Sequence, residues 1–134
     1  MAYGSIEDRL AIRELIESFS GTLACLDTDA WIQNWAEDGA WKLPSLPEDV
    51  VGRDAILATF VDKMSPVKAI SMISYPNNLS IDGDTATGIA YCREIIELKT
   101  GDRKELLARF DDNYVRVNGE WKFARREYEV FSVM

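Results

Sequence analysis

Three turn dipeptides divide the second half of this chain and constrain its fold more than any other feature. They lie at nearly even intervals and are Asp82-Gly83, Gly101-Asp102 and Asn118-Gly119. Asp-Gly and Asn-Gly tolerate the positive φ angles of tight hairpins, and the apolar residues recur with a period of two from Val67 onward. The pattern predicts four consecutive antiparallel strands, over residues 68–81, 84–99, 103–117 and 120–133.

The first half of the chain carries helical patterns instead. Ser5, with Asp8 three residues later, forms a capping-box pattern that predicts a first helix over 6–26. A short second helix is expected over 31–37, ending at Asp38-Gly39, and a short strand over 40–43. A third helix is expected from 52 to 65, because Pro66 cannot continue it. Residues 44–49 are rich in proline and polar side chains and are expected to form a loop that covers a cavity mouth.

The order of these elements predicts the fold class. The predicted strands exceed the usual length of about five or six residues, and long twisted strands tend to curl. Helices first and a long-strand meander second favour a single α+β domain over residues 1–134. In this domain a curled antiparallel sheet wraps around three N-terminal helices.

Composition and charge exclude several classes of partner. The 134 residues carry a formal net charge of -8 without a cluster of Lys and Arg, so we expect no nucleic-acid partner. No apolar run is long enough to cross a bilayer, and residues 1–5 lead into a charged helix start, so we expect a cytoplasmic protein without a membrane partner. Cys25 and Cys92 are far apart and are expected to be reduced and buried.

The absence of histidine removes much of the usual catalytic chemistry. No Ser-His-Asp or Cys-His pair can form, so acid–base chemistry must use Asp, Glu, Tyr, Lys or Cys. The sequence contains neither a Gly-rich phosphate loop nor carboxylates at metal-ligand spacing. We therefore expect neither a metal nor a cofactor.

Asp27 is the most informative acidic residue. It follows Leu23 by one helical turn, at the edge of an apolar helical face. The segment Asp27-Thr28-Asp29 precedes the second helical pattern, so the carboxylate could simply cap that helix. The other interpretation is a general base made more basic by apolar surroundings. The sequence leaves both open.

The sequence also leaves open which side chains of the long strands point inward. Arg109, Asp111 and Asn113 share one face of the third long strand, either as a polar strip on a pocket wall or as a solvated, salt-bridged sheet face. On the second long strand either Glu94 or Arg93 must point inward. The alternating charges over 125–129 indicate cross-strand pairing.

Four short segments together carry a family resemblance. They are Trp-x-x-x-Trp-Ala-Glu-Asp-Gly over 31–39, Val-Gly-Arg-Asp-Ala-Ile over 51–56, Asp-Gly-Asp-Thr-Ala-Thr over 82–87 and Gly-Glu-Trp-Lys-Phe over 119–123. Their order and spacing resemble the nuclear transport factor 2-like superfamily, and most closely its SnoaL-like and scytalone dehydratase-like branch. The resemblance covers essentially the whole chain and implies a cone-shaped fold, which carries many unrelated functions.

The resemblance also implies positions for catalytic residues. Dehydratases and dehydrochlorinases of this branch pair an aspartate at the end of the first helix, which Asp27 matches, with a histidine on the first long strand. Ser74, or Met72 by a shifted register, stands in the histidine's place. Ketosteroid isomerases of the superfamily use a strand aspartate as base, which falls near Lys42, and a second acid, which falls near Asn113. The chain matches neither pattern fully.

Together these observations favour a cofactor-independent lyase or isomerase, such as a dehydratase, isomerase or cyclase, acting on a small apolar carbonyl or cyclic compound. Asp27 would be the general base, Asn113 a hydrogen-bond donor with Tyr75 or Tyr91, and Arg109 an electrostatic clamp. Because the chain is rich in aromatic residues, a flat, small hydrophobic molecule would suit the cavity. The expected pocket residues are Tyr75, Tyr91, Trp41, Ser74, Met72 and Phe60.

The sequence supports an alternative function and an oligomeric state as well. The alternative function is a non-catalytic ligand-binding or assembly domain that kept the cone and lost the histidine. A homodimer is expected through the outer sheet face, where Phe110, Tyr114 or their neighbours would need cover.

Overall fold

The computed structural model describes residues 4–134. The helices are α1 (Ile6–Ala24), α2 (Thr28–Ile32) and α3 (Arg53–Met64). The strands are β1 (Trp35–Lys42), β2 (Val50–Val51), β3 (Val67–Asp82), β4 (Thr85–Leu98), β5 (Arg103–Val117) and β6 (Glu120–Val133). All six strands belong to one sheet, in the order β2-β1-β6-β5-β4-β3.

The sheet is a curled, unclosed meander with a short extension. Strands β3 to β6 pair antiparallel with their neighbours in sequence, and β1 adds to β6 in parallel. Three helices with a curled sheet form the α+β cone, so the predicted fold class is confirmed. The predicted bounds of the last two strands coincide with those of β5 and β6.

The three turn dipeptides form the hairpins that join β3 to β6. Gly83 has φ 61°, Gly101 has φ 94°, and Asn118 and Gly119 have φ 52° and 80°. These values lie in the left-handed region, where glycine and asparagine are least strained. The turn chemistry therefore fixes the ends of the long strands.

The boundary between α2 and β1 differs from the prediction. The helix ends at Ile32, and Asp38-Gly39 lies inside β1 rather than at a helix end. Phe123 donates a backbone hydrogen bond to the Asn34 carbonyl at 2.9 Å, and Trp35 pairs with Phe123 across the parallel strands. Pairing with β6 thus takes this segment out of the helix, and a register shift before Ala40 accommodates Asp38-Gly39.

The core lies between the helices and the concave face of the sheet. Helix α1 begins at its N-cap Ser5, whose Oγ accepts a hydrogen bond from the Asp8 amide at 3.0 Å. The apolar face of α1 packs against β3 and buries five side chains: Ile12, Leu15, Ile16, Phe19 and Leu23. Fully burying side chains of this size contributes about 1.5–3 kcal/mol each, so this face anchors α1 over the sheet.

Among residues 4–134, none of the helices combines the length and the apolar character that crossing a membrane requires.

Candidate active site in an apolar cavity

A cavity of about 510 Å³ opens between the helices and the concave face of the sheet. This volume is typical of sites for small molecules. Its lining is largely apolar and aromatic and includes Trp31, Trp41, Phe60, Ile70, Met72 and Phe110. The loop over 44–49 contributes Pro44 and Ser45, which are exposed and therefore lie at the mouth.

A carboxylic acid and a phenol form the polar centre of this cavity. Glu94 on β4 is only 6% exposed, and the Tyr128 hydroxyl on β6 donates a hydrogen bond to its Oε1. Strand β5 runs between the two strands, where Glu94 pairs with Leu106 and Tyr128 with Phe110. Because the intervening buried residue is the small Ala108, the Tyr128 ring has room to reach across β5.

Burial controls the protonation of this pair. It raises the pKa of Glu94 above its ordinary value of 4.5, and the hydrogen bond from Tyr128 partly offsets that rise. Burial and the nearby Glu94 charge raise the pKa of Tyr128, so the phenol keeps its proton. The Glu94 carboxylate is therefore more basic than that of an exposed glutamate, and the Tyr128 hydroxyl beside it remains a hydrogen-bond donor.

The tryptophans of the cavity supply apolar surface rather than hydrogen bonds. The indole Nε1 atoms of Trp31 and Trp41 are buried and have no polar partner within residues 4–134. Trp31 stacks on Phe60 with ring centroids 3.9 Å apart and planes at 13°. These rings form a flat wall that suits a planar ligand.

Asp27 lies outside this cavity. Helix α1 ends at Ala24, and Leu26 adopts φ 53°, which turns the chain before Asp27. The Asp27 side chain is exposed, and its Oδ1 accepts a hydrogen bond from the Ala30 amide at 3.1 Å. The structure thus shows the helix cap that the sequence indicated, whereas a catalytic role for Asp27 stays a prediction.

The polar strip on β5 faces outward, contrary to the pocket-wall interpretation. Phe110, Asp112 and Tyr114 are buried on the concave side, so the alternate residues Arg109 and Asn113 must face the other way. Arg109 Nε lies 3.5 Å from Asp111 Oδ1 and 3.2 Å from Glu129 Oε2. This is the salt-bridged sheet face, and it places Arg109 and Asn113 away from the cavity.

Three of the six expected pocket residues line the cavity, and three do not. Trp41, Phe60 and Met72 line the cavity. Tyr75 and Tyr91 instead pack together on the outer face, with ring centroids 5.8 Å apart. Ser74 lies beneath α1, 3.5 Å from the Ser20 hydroxyl, and is not part of the lining. The alternation along β3 explains this division, since Met72 is buried and Tyr75 is on the opposite face.

The strand register settles the choice between Glu94 and Arg93. Arg93 is exposed and pairs with Glu105 at 3.2 Å on the outer face, which leaves Glu94 inside. Tyr128 was not singled out from the sequence. Phe110 and Tyr114 on β5 share one face, and two large aromatic side chains on one face predict that this face is buried. Cross-strand pairing with β5 would then have placed Glu94 and Tyr128 on the same buried face.

The two cysteines are free and differ in environment. Cys25 is exposed, contrary to the expectation that both are buried, and Cys92 is buried two residues before Glu94. Burial and the Glu94 charge raise the pKa of Cys92 to about 12, so its thiol stays protonated and unreactive. Within residues 4–134 no three Cys, Asp or Glu side chains come together in a way that could hold a metal ion.

Helices closed over one side of a curled sheet, with an apolar cavity between them, define the nuclear transport factor 2-like class of fold. A family model for the SnoaL-like domain matches residues 4–127. The chain therefore belongs to the SnoaL-like domain family. Among curated proteins, none matches the chain in sequence.

Solved structures resemble this fold over nearly its whole length. A protein from Novosphingobium aromaticivorans DSM, provisionally named an aromatic ring hydroxylase, is 24% identical with a TM-score of 0.86, covering 98% of this chain and 94% of its own. A protein from Novosphingobium aromaticivorans DSM 12444, provisionally named a scytalone dehydratase, is 22% identical with a TM-score of 0.83, covering 96% and 87%. Hexachlorocyclohexane dehydrochlorinase LinA-type3 from Novosphingobium barchaimii LL02 is 17% identical with a TM-score of 0.81, covering 96% and 90%. At these identities the likeness is one of fold.

Proposed function

We propose that this protein is a cofactor-independent lyase or isomerase that removes a proton from carbon in a small, largely apolar carbonyl or cyclic compound. The observation that carries the proposal is Glu94, a buried carboxylic acid in an otherwise apolar cavity, hydrogen-bonded to Tyr128. A carboxylic acid with a shifted pKa in a concave site indicates a functional site, and here the apolar cavity and the Tyr128 partner support the assignment as well.

In the first step the Glu94 carboxylate takes a proton from the substrate carbon. The electron pair of the broken C–H bond moves either into an adjacent carbonyl, which gives an enolate, or into a new C=C bond as a leaving group departs. Glu94 then returns the proton to another carbon in an isomerase, or to the departing group in a lyase. Its elevated pKa makes it a better base near neutral pH than an exposed glutamate.

Tyr128 has a second task in this scheme. Its hydroxyl remains protonated and lines the cavity, so it can donate to negative charge that develops on a substrate oxygen. When Glu94 becomes protonated, it loses its negative charge and accepts the hydrogen bond from Tyr128 less strongly. The Tyr128 hydroxyl can then donate to the substrate instead. The pair thus couples proton removal to stabilisation of the resulting charge.

The relatives support the reaction class in outline. Two neighbours in fold are named for a dehydratase and a dehydrochlorinase, which are both eliminations. The aromatic and aliphatic lining favours a small hydrophobic molecule, and a base with a hydrogen-bond donor needs no cofactor for proton removal.

Exchange of carbon-bound protons tests this proposal before the substrate is known. We would incubate the protein with 2-tetralone, a flat apolar ketone, in D₂O and follow loss of the proton signals next to the carbonyl by NMR. The wild type should accelerate the exchange above the buffer rate, and Glu94→Gln should slow it by a factor of about 10²–10⁴. Tyr128→Phe should also be slower, while Glu97→Gln, a more exposed acid of the same strand, is the control. If Asp27→Asn loses the proton exchange and Glu94→Gln keeps it, the general base is Asp27 and not Glu94.

A second function remains supported by one observation. The chain has no histidine, which the dehydratases that it resembles use as a partner of their aspartate. A non-catalytic domain that binds a small hydrophobic molecule would show tight binding of 2-tetralone, with exchange at the buffer rate.

A further inference from the structure

Two lysines stand at the mouth of the cavity. Five of the lining residues are exposed and so mark where the cavity meets solvent: Pro44, Ser45, Lys63, Pro66 and Lys104. The Lys63 ammonium, on α3, donates a hydrogen bond to the Ser45 hydroxyl at 3.1 Å. The side chain of Lys104, on β5, has no hydrogen bond or ion pair within residues 4–134.

The strand register places Lys104 close to the proposed base. Leu106 pairs directly with Glu94, and Lys104 lies two residues before Leu106, on the same face of β5. Diagonal neighbours of this kind are separated by about 7–8 Å. A ligand only one ring long could therefore reach from Glu94 to the mouth.

The charges of the lining are arranged by depth. Glu94 is its one acidic residue and lies inside, whereas Lys63 and Lys104 are its two basic residues and lie at the mouth. This contrasts with the chain as a whole, whose net charge of -8 repels anions. An anionic group would be attracted to the lysines and repelled by an ionised Glu94, so it would stay at the mouth while an apolar body entered the cavity.

We propose that the ligand of this cavity is an amphipathic anion, with a flat apolar body and one carboxylate or sulfonate group that binds Lys63 and Lys104. The identification of this ligand as the substrate rests on the proposed function. In that case the anionic group fixes the direction of entry and presents the far end of the apolar body to Glu94 and Tyr128.

A matched pair of dyes tests this charge preference. The probes are 8-anilinonaphthalene-1-sulfonate and N-phenyl-1-naphthylamine, which share the same rings and differ by the sulfonate. Fluorescence titration at low ionic strength gives the affinity of each dye, and competition between them shows whether they share one site. The double variant Lys63→Gln/Lys104→Gln should bind the sulfonate dye about three- to tenfold more weakly, and the neutral dye within about twofold of wild type.

The control variant removes the same charge from the other side of the sheet. Lys68 forms an ion pair with Glu97, and Glu97 pairs with Arg103 across the strands, so all three lie near the mouth but outside the cavity. Lys68→Gln/Arg103→Gln should leave both affinities unchanged. Raising the ionic strength from about 20 to about 200 mM should weaken the sulfonate dye in the wild type more than in Lys63→Gln/Lys104→Gln.

Several results would overturn the inference. They are an equal loss for both dyes in the mouth variant, an equal loss in the control variant, or two dyes that do not compete. The variant Glu94→Gln distinguishes failure of this inference from failure of the proposed function. If this variant keeps its proton exchange and its lysine-dependent dye preference, the proposed function fails alone; if exchange is lost but the lysines have no effect, the inference fails alone.

Discussion

Asp112 and Arg126 form a two-point ion pair in the core of this protein. Arg126 Nε donates to Asp112 Oδ1 at 2.7 Å and Nη2 to Oδ2 at 3.0 Å, with side-chain exposures of 1% and 0%. The Tyr114 hydroxyl also donates to Asp112 Oδ2 at 2.8 Å, and Arg126 Cζ lies 3.7 Å from the ring centroid of Phe110. The carboxylate is thus satisfied by three donors in a place that water does not reach.

Breaking this pair should be strongly destabilising. Asp112→Ala leaves a buried guanidinium without its partner, which we expect to lower the free energy of unfolding by about 3–5 kcal/mol. The measurement is urea unfolding followed by tryptophan fluorescence. The matched control is Lys68→Gln, which breaks an exposed pair at 3.6 Å and should cost less than about 1 kcal/mol. Similar losses in the two variants would contradict the assignment of a buried, dry pair.

Glu94→Gln should be at least as stable as the wild type at neutral pH. The folded protein raises the pKa of Glu94 above 4.5, so between pH 4.5 and that elevated pKa the folded chain keeps a proton that the unfolded chain has released. The free energy of unfolding of the wild type therefore falls as the pH rises from 4.5 through the elevated pKa, by about 1.4 kcal/mol for each unit of the pKa difference. Glutamine removes this loss and keeps an acceptor for Tyr128.

This stability effect is measured by thermal unfolding of both proteins from about pH 5 to about pH 8. The advantage of Glu94→Gln should grow as the pH rises towards the elevated pKa of Glu94 and stay constant above it. Glu97→Gln serves as the control, because the Glu97 side chain is 46% exposed. An advantage for Glu94→Gln that is the same at every pH from about 5 to about 8 would mean that the fold does not raise the pKa of Glu94.

Asp27 should behave as a helix cap. Asp27→Asn keeps an oxygen acceptor for the Ala30 amide and should leave stability nearly unchanged, whereas Asp27→Ala should lose about 1 kcal/mol. Asp29→Ala, in the first turn of the same helix, should cost only a few tenths of a kcal/mol. Thermal unfolding of the three variants gives these values. If Asp27→Asn abolishes proton exchange while its stability is preserved, Asp27 is a catalytic base as well as a cap.

We propose a homodimer through the outer face of the sheet. The residues first expected there, Phe110 and Tyr114, are buried in the core, but exposed apolar side chains occupy that face instead. These are Ile73, Tyr75, Leu107 and Phe131. An apolar surface of this kind is easier to explain when it is covered by a second copy.

Light scattering at micromolar concentration checks this proposal. The wild type should have the mass of a dimer, and Phe131→Glu should shift it towards the monomer because a charge would be buried in the interface. Val61→Glu, at a similarly exposed apolar position on α3, should remain dimeric. A monomeric wild type would contradict the proposal.

Local chemistry in the sequence determined the outline of this fold. The hairpins at Gly83, Gly101 and Gly119 depend on positive φ angles that neighbouring residues encode directly. The N-caps Ser5 and Asp27 likewise need only an oxygen within three residues of the amide that they bind. Each of these features involves atoms close in sequence, so the pattern alone predicts it.

The direction in which each strand faces was decided by the tertiary structure. On β4 apolar residues occur on both faces, as Ile95 and Ile96 show, so the alternation does not say whether Glu94 or Arg93 is buried. The same one-residue ambiguity left the facing direction of Asn113 open, and the structure places Asn113 on the outer face. Packing of α1 against the sheet is a long-range contact, and it selects one face for all positions of a strand at once.

The candidate site also depends on contacts that only the folded chain creates. Glu94 and Tyr128 are 34 residues apart and meet because two hairpins bring β4 and β6 to either side of β5. The helix-to-strand change at Trp35 has the same origin, since pairing with Phe123 outweighs local helical preference. The sequence by itself determined the hairpins, the caps and the class of fold. The tertiary structure chose the buried face of the sheet, and with it the acid inside the cavity, because burial is set by contacts between residues distant in the chain.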